Sequence, residues 1–177
     1  MKNNGFFELF IDQMGDMYSS ERQIIKALPK LIKLATFNDL RDALSSHLKE
    51  TENQVRRIEK IYSILDINPA EETCEAMEGL VKEADEMVRN KTKGAVLDAA
   101  IIAAAQKVEH YEMASYGSLR TWAKFLELDS EIVDLLQDTL DEEGAADKRL
   151  TKIADGSIFT TGVNQEAAEP TIRRGKR

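Results

Sequence analysis

From Phe6 to about Lys33 the apolar positions fall at Phe10, Met14, Met17, Ile24, Leu28 and Leu31, spaced by threes and fours, and the one gap in that stripe is filled by Glu21. Such a period marks a helix burying one face. Pro29 lies inside the run and removes a backbone donor, so a kink or short break is expected around Ile25 to Leu28. After a turn at 35–38, a second helix reaches about Leu65 through Leu40, Leu44, Thr51, Val55, Ile58 and Tyr62, with Ala43, His47, Glu50 and Gln54 on the neighbouring stripe. Pro69 closes it, because proline disfavours helix in the residue before it. Residues 74–90 then make a shorter amphipathic helix through Cys74, Met77, Val81, Ala84 and Val88.

A third long helix, from about Ala95 to Leu126, is apolar on two adjacent stripes, one carrying Leu97, Ile101, Ala104, Val108 and Tyr111 and the other Ile102, Ala105, Tyr116 and Leu119. So wide a surface belongs to a helix with several packing partners. Asp129 or Ser130 caps a fourth long helix, in which Ile132, Leu136, Thr139, Ala146, Leu150 and Ile153 keep register while position 143 is again acidic. Gly156 suits its stop. Four long helices with one shorter helix between the second and third predict an all-α antiparallel four-helix bundle over residues 1–155. Residues 156–177 have no sustained period and are expected to be a flexible tail unless Ile158, Phe159 and Val163 dock on the bundle or a partner.

Each long helix therefore carries a carboxylate on or beside its core face: Glu21, Glu50, Glu109 with Glu112, and Glu143. In an antiparallel hairpin, positions equally far from the turn are level, since each residue rises about 1.5 Å. Glu21 and Glu50 are symmetric about 35.5 and Glu112 and Glu143 about 127.5, both inside expected turns. A single glutamate on a half-buried helix ordinarily snorkels to water or meets a lysine. Several carboxylates at one depth of a bundle need a compensating cation, and a dinuclear metal centre is the simplest that bundles build from inward-facing Glu.

Charge changes the picture little. The net charge is −8, and the tail's four basic and two acidic residues leave −10 on residues 1–155, a surface that repels nucleic acid and anionic lipid; the terminal RRGKR reads as a solvated tail. The single Cys74 allows no intrachain disulfide and reads as a core thiol. No secretory h-region opens the chain, and its most apolar run, AVLDAAIIAAA, is too short to span a bilayer and contains Asp98. A cytoplasmic protein without membrane or nucleic-acid partners is expected.

The segments DMYSSERQ (16–23), HLKETENQ (47–54), QKVEHYEMASYGSL (106–119) and LDEEGAAD (140–147) together resemble the YciF/YciE family of bacterial stress-associated bundles within the ferritin-like superfamily. The resemblance, from about Phe6 to Ile153, implies a ferritin-like fold that dimerises, with a carboxylate-rich metal site and no established activity. It makes Glu21 the first-helix ligand, Glu50 and Glu143 the bridging acids, and Glu109 or Glu112 the third-helix ligand. The superfamily's Glu-x-x-His pairs would put histidine at 53 and 146, where this chain has Asn53 and Ala146. His47, one turn before Glu50, is a substitute nitrogen ligand or else a histidine hydrogen-bonded within the bundle. Asp147, one turn after Glu143, is a substitute on the last helix, and His110 points away from its neighbour Glu109. Tyr18, Tyr111 and Tyr116 lie within a turn or two of the acids, as hydrogen-bond donors or as core aromatics.

Two functions compete on these grounds. One is a dinuclear Fe or Mn protein handling iron, oxygen or peroxide under stress, with a small oxidant as its partner molecule. The other is a non-catalytic dimeric bundle with a metal-free or structurally occupied acidic core. Iron storage in a closed cage is a weaker third, since no assembly surface is legible. The apolar excess on the third long helix and on residues 74–90 adds the expectation of a homodimer.

Overall fold

The structure is a computed structural model that describes residues 5–69, 72–157 and 160–169. Its long helices are α1 (Gly5–Leu34), α2 (Asn38–Leu65), α4 (Ala95–Phe125) and α5 (Ser130–Asp155), with the shorter α3 (Glu75–Val88) between the two hairpins. The chain is an all-α, ferritin-like four-helix bundle. Helices α1 and α2 pair as one hairpin and α4 and α5 as the other, with α2 against α5 and α1 against α4. The expected wide contact surface of α4 is realised, since α1, α3 and α5 all pack on it. No break interrupts α1 at Pro29, because Leu28 and Leu31 on either side are buried and hold the turn in place despite the lost donor.

Caps define the ends. Asp129 accepts from the Glu131 amide at 2.9 Å and starts α5 as expected. Helix α2 has no side-chain cap of its own. Instead the buried Asp98, from the first turn of α4, reaches across to accept from the amides of Thr36 (2.8 Å) and Phe37 (3.0 Å) and from the Thr36 hydroxyl. Asp98→Ala strands those two amides, so urea denaturation is expected to show a loss of about 2–3 kcal/mol, partly restored in Asp98→Asn. A loss below the ordinary surface range would show that the cap is dispensable.

Beyond α5 the chain turns back as a two-residue hairpin, β1 (Gly156–Ser157) with β2 (Thr160–Thr161), and enters the short α6 (Val163–Ala168), which packs on α4 and α5 with Val163 fully buried. The hairpin closes backbone to backbone. Gly156 has φ +74°, and a Cβ there would lie 2.4 Å from the Gly162 nitrogen. Ile158, Phe159 and the terminal RRGKR lie outside the described residues. Among the described residues no helix is long and apolar enough to cross a membrane.

The core is divided. One apolar half contains Ile24, Leu28, Leu44, Leu97, Ile101 and Leu150, and the other contains Met14, Met17, Ile58, Tyr116, Leu119 and Leu136. Between them, on every long helix, lie buried polar side chains: Glu21 on α1, His47, Thr51 and Gln54 on α2, Glu109 and Glu112 on α4, and Thr139 and Glu143 on α5. The faces of α3 and α4 that suggested a dimer pack on each other; among the described residues the large apolar side chains left exposed are Phe6, Leu9, Val96 and Phe125.

Candidate metal centre

The polar layer brings His47, Glu109, Glu112 and Glu143 together, each offering a ligand atom within 4.8 Å of all the others. His47 Nε2 lies 3.4 Å from Glu109 Oε1. Glu21, fully buried on α1, adjoins this group and accepts a hydrogen bond from the Tyr116 hydroxyl. Gln54 donates from Nε2 to Glu143 and also to Glu142 at 3.1 Å. Glu142 is in turn held by Arg57 in a two-pronged ion pair, both contacts 2.6 Å, which fixes the α2–α5 seam beside the cluster.

Four buried carboxyls at this spacing cannot all be ionised. Burial pushes Glu21 and Glu112 well above the usual carboxylate range; the charge of Glu143 pushes both the same way and Glu21 raises Glu112 further, while hydrogen bonds from Tyr116 and Glu112 partly oppose the rise at Glu21. Glu109 is raised by burial and by its contact with Glu143. Glu143 is raised by burial against the opposing pull of Glu109, His47 and Gln54. Tyr116 is raised well above its ordinary value by burial and by Glu21 and Glu112, so it remains a donor.

Several buried atoms have no hydrogen-bond partner: both ring nitrogens of His47, both oxygens of Glu112, and one oxygen each of Glu21, Glu109 and Glu143. Buried polar groups left so are costly, and protons shared between carboxyls, buried water or a cation would satisfy them. A nitrogen with three or four carboxylates is a donor set suited to Fe or Mn, so the residues fit the metal that the family resemblance implies.

Not every candidate joins the cluster. Glu50 stands at the surface edge, its side chain 39% exposed, 3.8 Å from His47 Nδ1 and accepting from the Ser46 hydroxyl at 3.1 Å. The reason is angular: at 100° per residue, position 50 lies about 60° round the helix from His47, whereas Gln54 lies within about 20° of it. His47 takes the inward place and is not hydrogen-bonded. Asp147 sits outside, accepting from Gln106 at 3.0 Å and 3.4 Å from the exposed His110. Of the other tyrosines, Tyr18 donates to Glu59 at 3.0 Å and Tyr111 lies 3.1 Å from the Cys74 sulfur. The residue that sequence reasoning passed over is Gln54; its place seven residues after His47 was the available signal.

The DUF892 family, described as a domain of unknown function, matches residues 5–168. The protein YciF of Escherichia coli (strain K12) is 43% identical over 159 residues, spanning 89% of this chain and 95% of that protein. The crystal structure of the E. coli stress protein YciF superposes with a TM-score of 0.80 at 42% identity, covering 86% of this chain and 94% of that one. YcfI of Rhodopseudomonas palustris, for which a structural role is suggested in its description, superposes with a TM-score of 0.82 at 44% identity, covering 87% of this chain and 98% of that one.

Proposed function

The chain belongs to the DUF892 family, and on that footing we propose that it is a stress-associated metal protein whose buried polar layer holds a dinuclear Fe or Mn centre that meets a small oxidant. The observation that carries this reading is that His47, Glu109, Glu112 and Glu143 each offer a ligand atom within 4.8 Å of the others and each have a buried atom without a hydrogen-bond partner. The name stress protein carried by the E. coli relative supports the physiological setting.

When bound, such a centre supplies Lewis acidity and an accessible redox couple. The chain's residues set the conditions for it. Glu109, Glu112, Glu143 and His47 would hold a first metal, and Glu21, beside Glu112 and Glu143, would extend the set towards a second. Gln54 fixes the rotamer of Glu143, and Tyr116 holds Glu21 while keeping its own proton. The apolar halves above and below exclude water from both ends.

The test is metal analysis of the full chain purified without chelator, followed by Mn(II) and Fe(II) titration of the chelated protein. Co-purifying metal is expected, and His47→Ala should weaken affinity by more than the roughly 10–100-fold typical of a supporting residue. A chain that takes up neither metal defeats the reading.

A second reading is a metal-free bundle that acts as a dimer; the structural role in the name of the R. palustris relative is compatible with it. Phe6, Leu9 and Phe125 are the exposed apolar side chains that such a dimer would bury. Light scattering across micromolar concentrations is expected to give a dimer mass; a monomer throughout removes the interface from both readings.

A further inference from the structure

Between α2 and α5 a cavity of about 200 Å³ opens beside the cluster. Its walls carry Glu50, Glu142 and Arg149 among alanines and leucines that include Ala146, and its floor is His47 and Glu109. Ala146 offers no side chain to close the mouth. Both floor residues are more than nine-tenths buried, with unpartnered atoms: both ring nitrogens of His47 and one Glu109 oxygen. At about 30 Å³ per water the cavity has room for some six waters, the hydration shell of one divalent cation.

Three donors descend from solvent to the interior in short steps. Glu50 at the rim is 3.8 Å from His47 Nδ1, and His47 Nε2 is 3.4 Å from Glu109 Oε1. The opposite side of the bundle offers no such ladder. There a cavity of only about 40 Å³ between α1, α3 and α4 also touches His47 and Glu109, but its walls are apolar except for Asp85. Stripping water from a divalent cation along an apolar wall is prohibitive, whereas exchanging it for carboxylate and imidazole donors is not.

We propose that the α2–α5 cavity is the port through which a divalent cation reaches the buried cluster, with Glu50 as its outer station and His47 as the relay to Glu109. This rests on the metal-binding reading above and assigns Glu50 a role in loading instead of ligation within the centre. Arg149 is solvent-exposed and stands where it competes with an arriving cation for Glu50, while Glu142, the other wall carboxylate, is already paired with Arg57.

The experiment follows Mn(II) uptake by the chelated full chain, as the decay of the free-ion EPR signal, in the unaltered protein, Glu50→Gln and Ala146→Leu. Both substitutions are at partly exposed positions, and circular dichroism verifies their fold. Uptake should slow about tenfold in each, the scale of lost electrostatic steering or a blocked mouth, with occupancy at equilibrium unchanged. Unchanged rates in both variants, or loss of equilibrium occupancy in Glu50→Gln, overturn the port. No uptake by the unaltered chain overturns the metal reading itself and is distinct from either. A measurement without metal stands beside it: deuterium exchange at the imidazole C2 position of His47, read by mass spectrometry, should slow in Ala146→Leu. Equal exchange in the two chains overturns the port whatever Mn(II) does.

Discussion

Glu143→Leu is expected to leave the thermal midpoint of the chelated protein unchanged or raised, and to abolish the rise that Mn(II) or Fe(II) produces in the unaltered chain. Glu143 is fully buried, with one oxygen accepting from Gln54 and the other unpartnered. Replacing buried charged or polar groups by apolar ones of similar volume is often neutral or stabilising by about 1–4 kcal/mol. Gln54 keeps a second acceptor in Glu142, so little is stranded. With metal the sign reverses, because the substitution removes a ligand. A metal at a hundred times its dissociation constant stabilises the folded state by about 2.7 kcal/mol, or roughly 5–11 °C for a chain of this size. The measurement is the midpoint of both chains, chelated and metal-supplied. A midpoint in the unaltered chain that ignores metal and chelator alike promotes the metal-free reading.

The chelated protein should also lose stability as pH rises, the reverse of ordinary acid denaturation. Glu21, Glu109, Glu112 and Glu143 all titrate above their ordinary value of 4.5 in the folded chain. Below 4.5 both folded and unfolded chains hold these protons and the stabilisation is fully present. Above it the unfolded chain releases them first, so the unfolded state binds fewer protons and stability falls until the folded carboxyls themselves titrate. Glu50 acts oppositely, since its contact with His47 holds it below the ordinary value, but at the surface edge it is screened by solvent and contributes little. Urea midpoints of the chelated protein from about pH 5 to about pH 8 should fall steadily. Saturating Mn(II) should reverse the trend, because ligation requires deprotonated donors. A chelated protein that grows more stable across this range would mean that the carboxyls are satisfied some other way.

The helices were legible because their apolar stripes run for many turns without ambiguity, and the depth of the cluster was legible because a hairpin's symmetry converts sequence distance into height. That arithmetic set Glu112 level with Glu143 and Glu21 level with Glu50, and Glu109 followed as the residue one turn from Glu112. What it could not resolve was rotation: His47 and Glu50 are one turn apart, about 4.5 Å in height, and the 60° between them decides which faces inward. Gln54 was hidden by its chemistry, since an amide is no metal ligand and its value lies in orienting one. Asp98 was hidden by distance, because its cap bridges residues 61 and 62 positions apart, from α4 to the turn before α2. The hairpin at Gly156 to Gly162 depends on two backbones in contact, for which no periodic signal exists.

The split core has a consequence for folding fidelity. Amphipathic helices of this kind tolerate sliding, since one leucine layer resembles the next. Here a slip of α5 by one turn, about 5.4 Å, would carry Glu143 out of the polar layer and set its carboxyl among the leucines and isoleucines of one apolar half. A buried carboxylate severed from its partners costs several kcal/mol, so each misaligned packing is penalised on whichever helix has moved. The polar layer thus acts as a vernier, fixing the axial alignment of all four helices before any cation arrives.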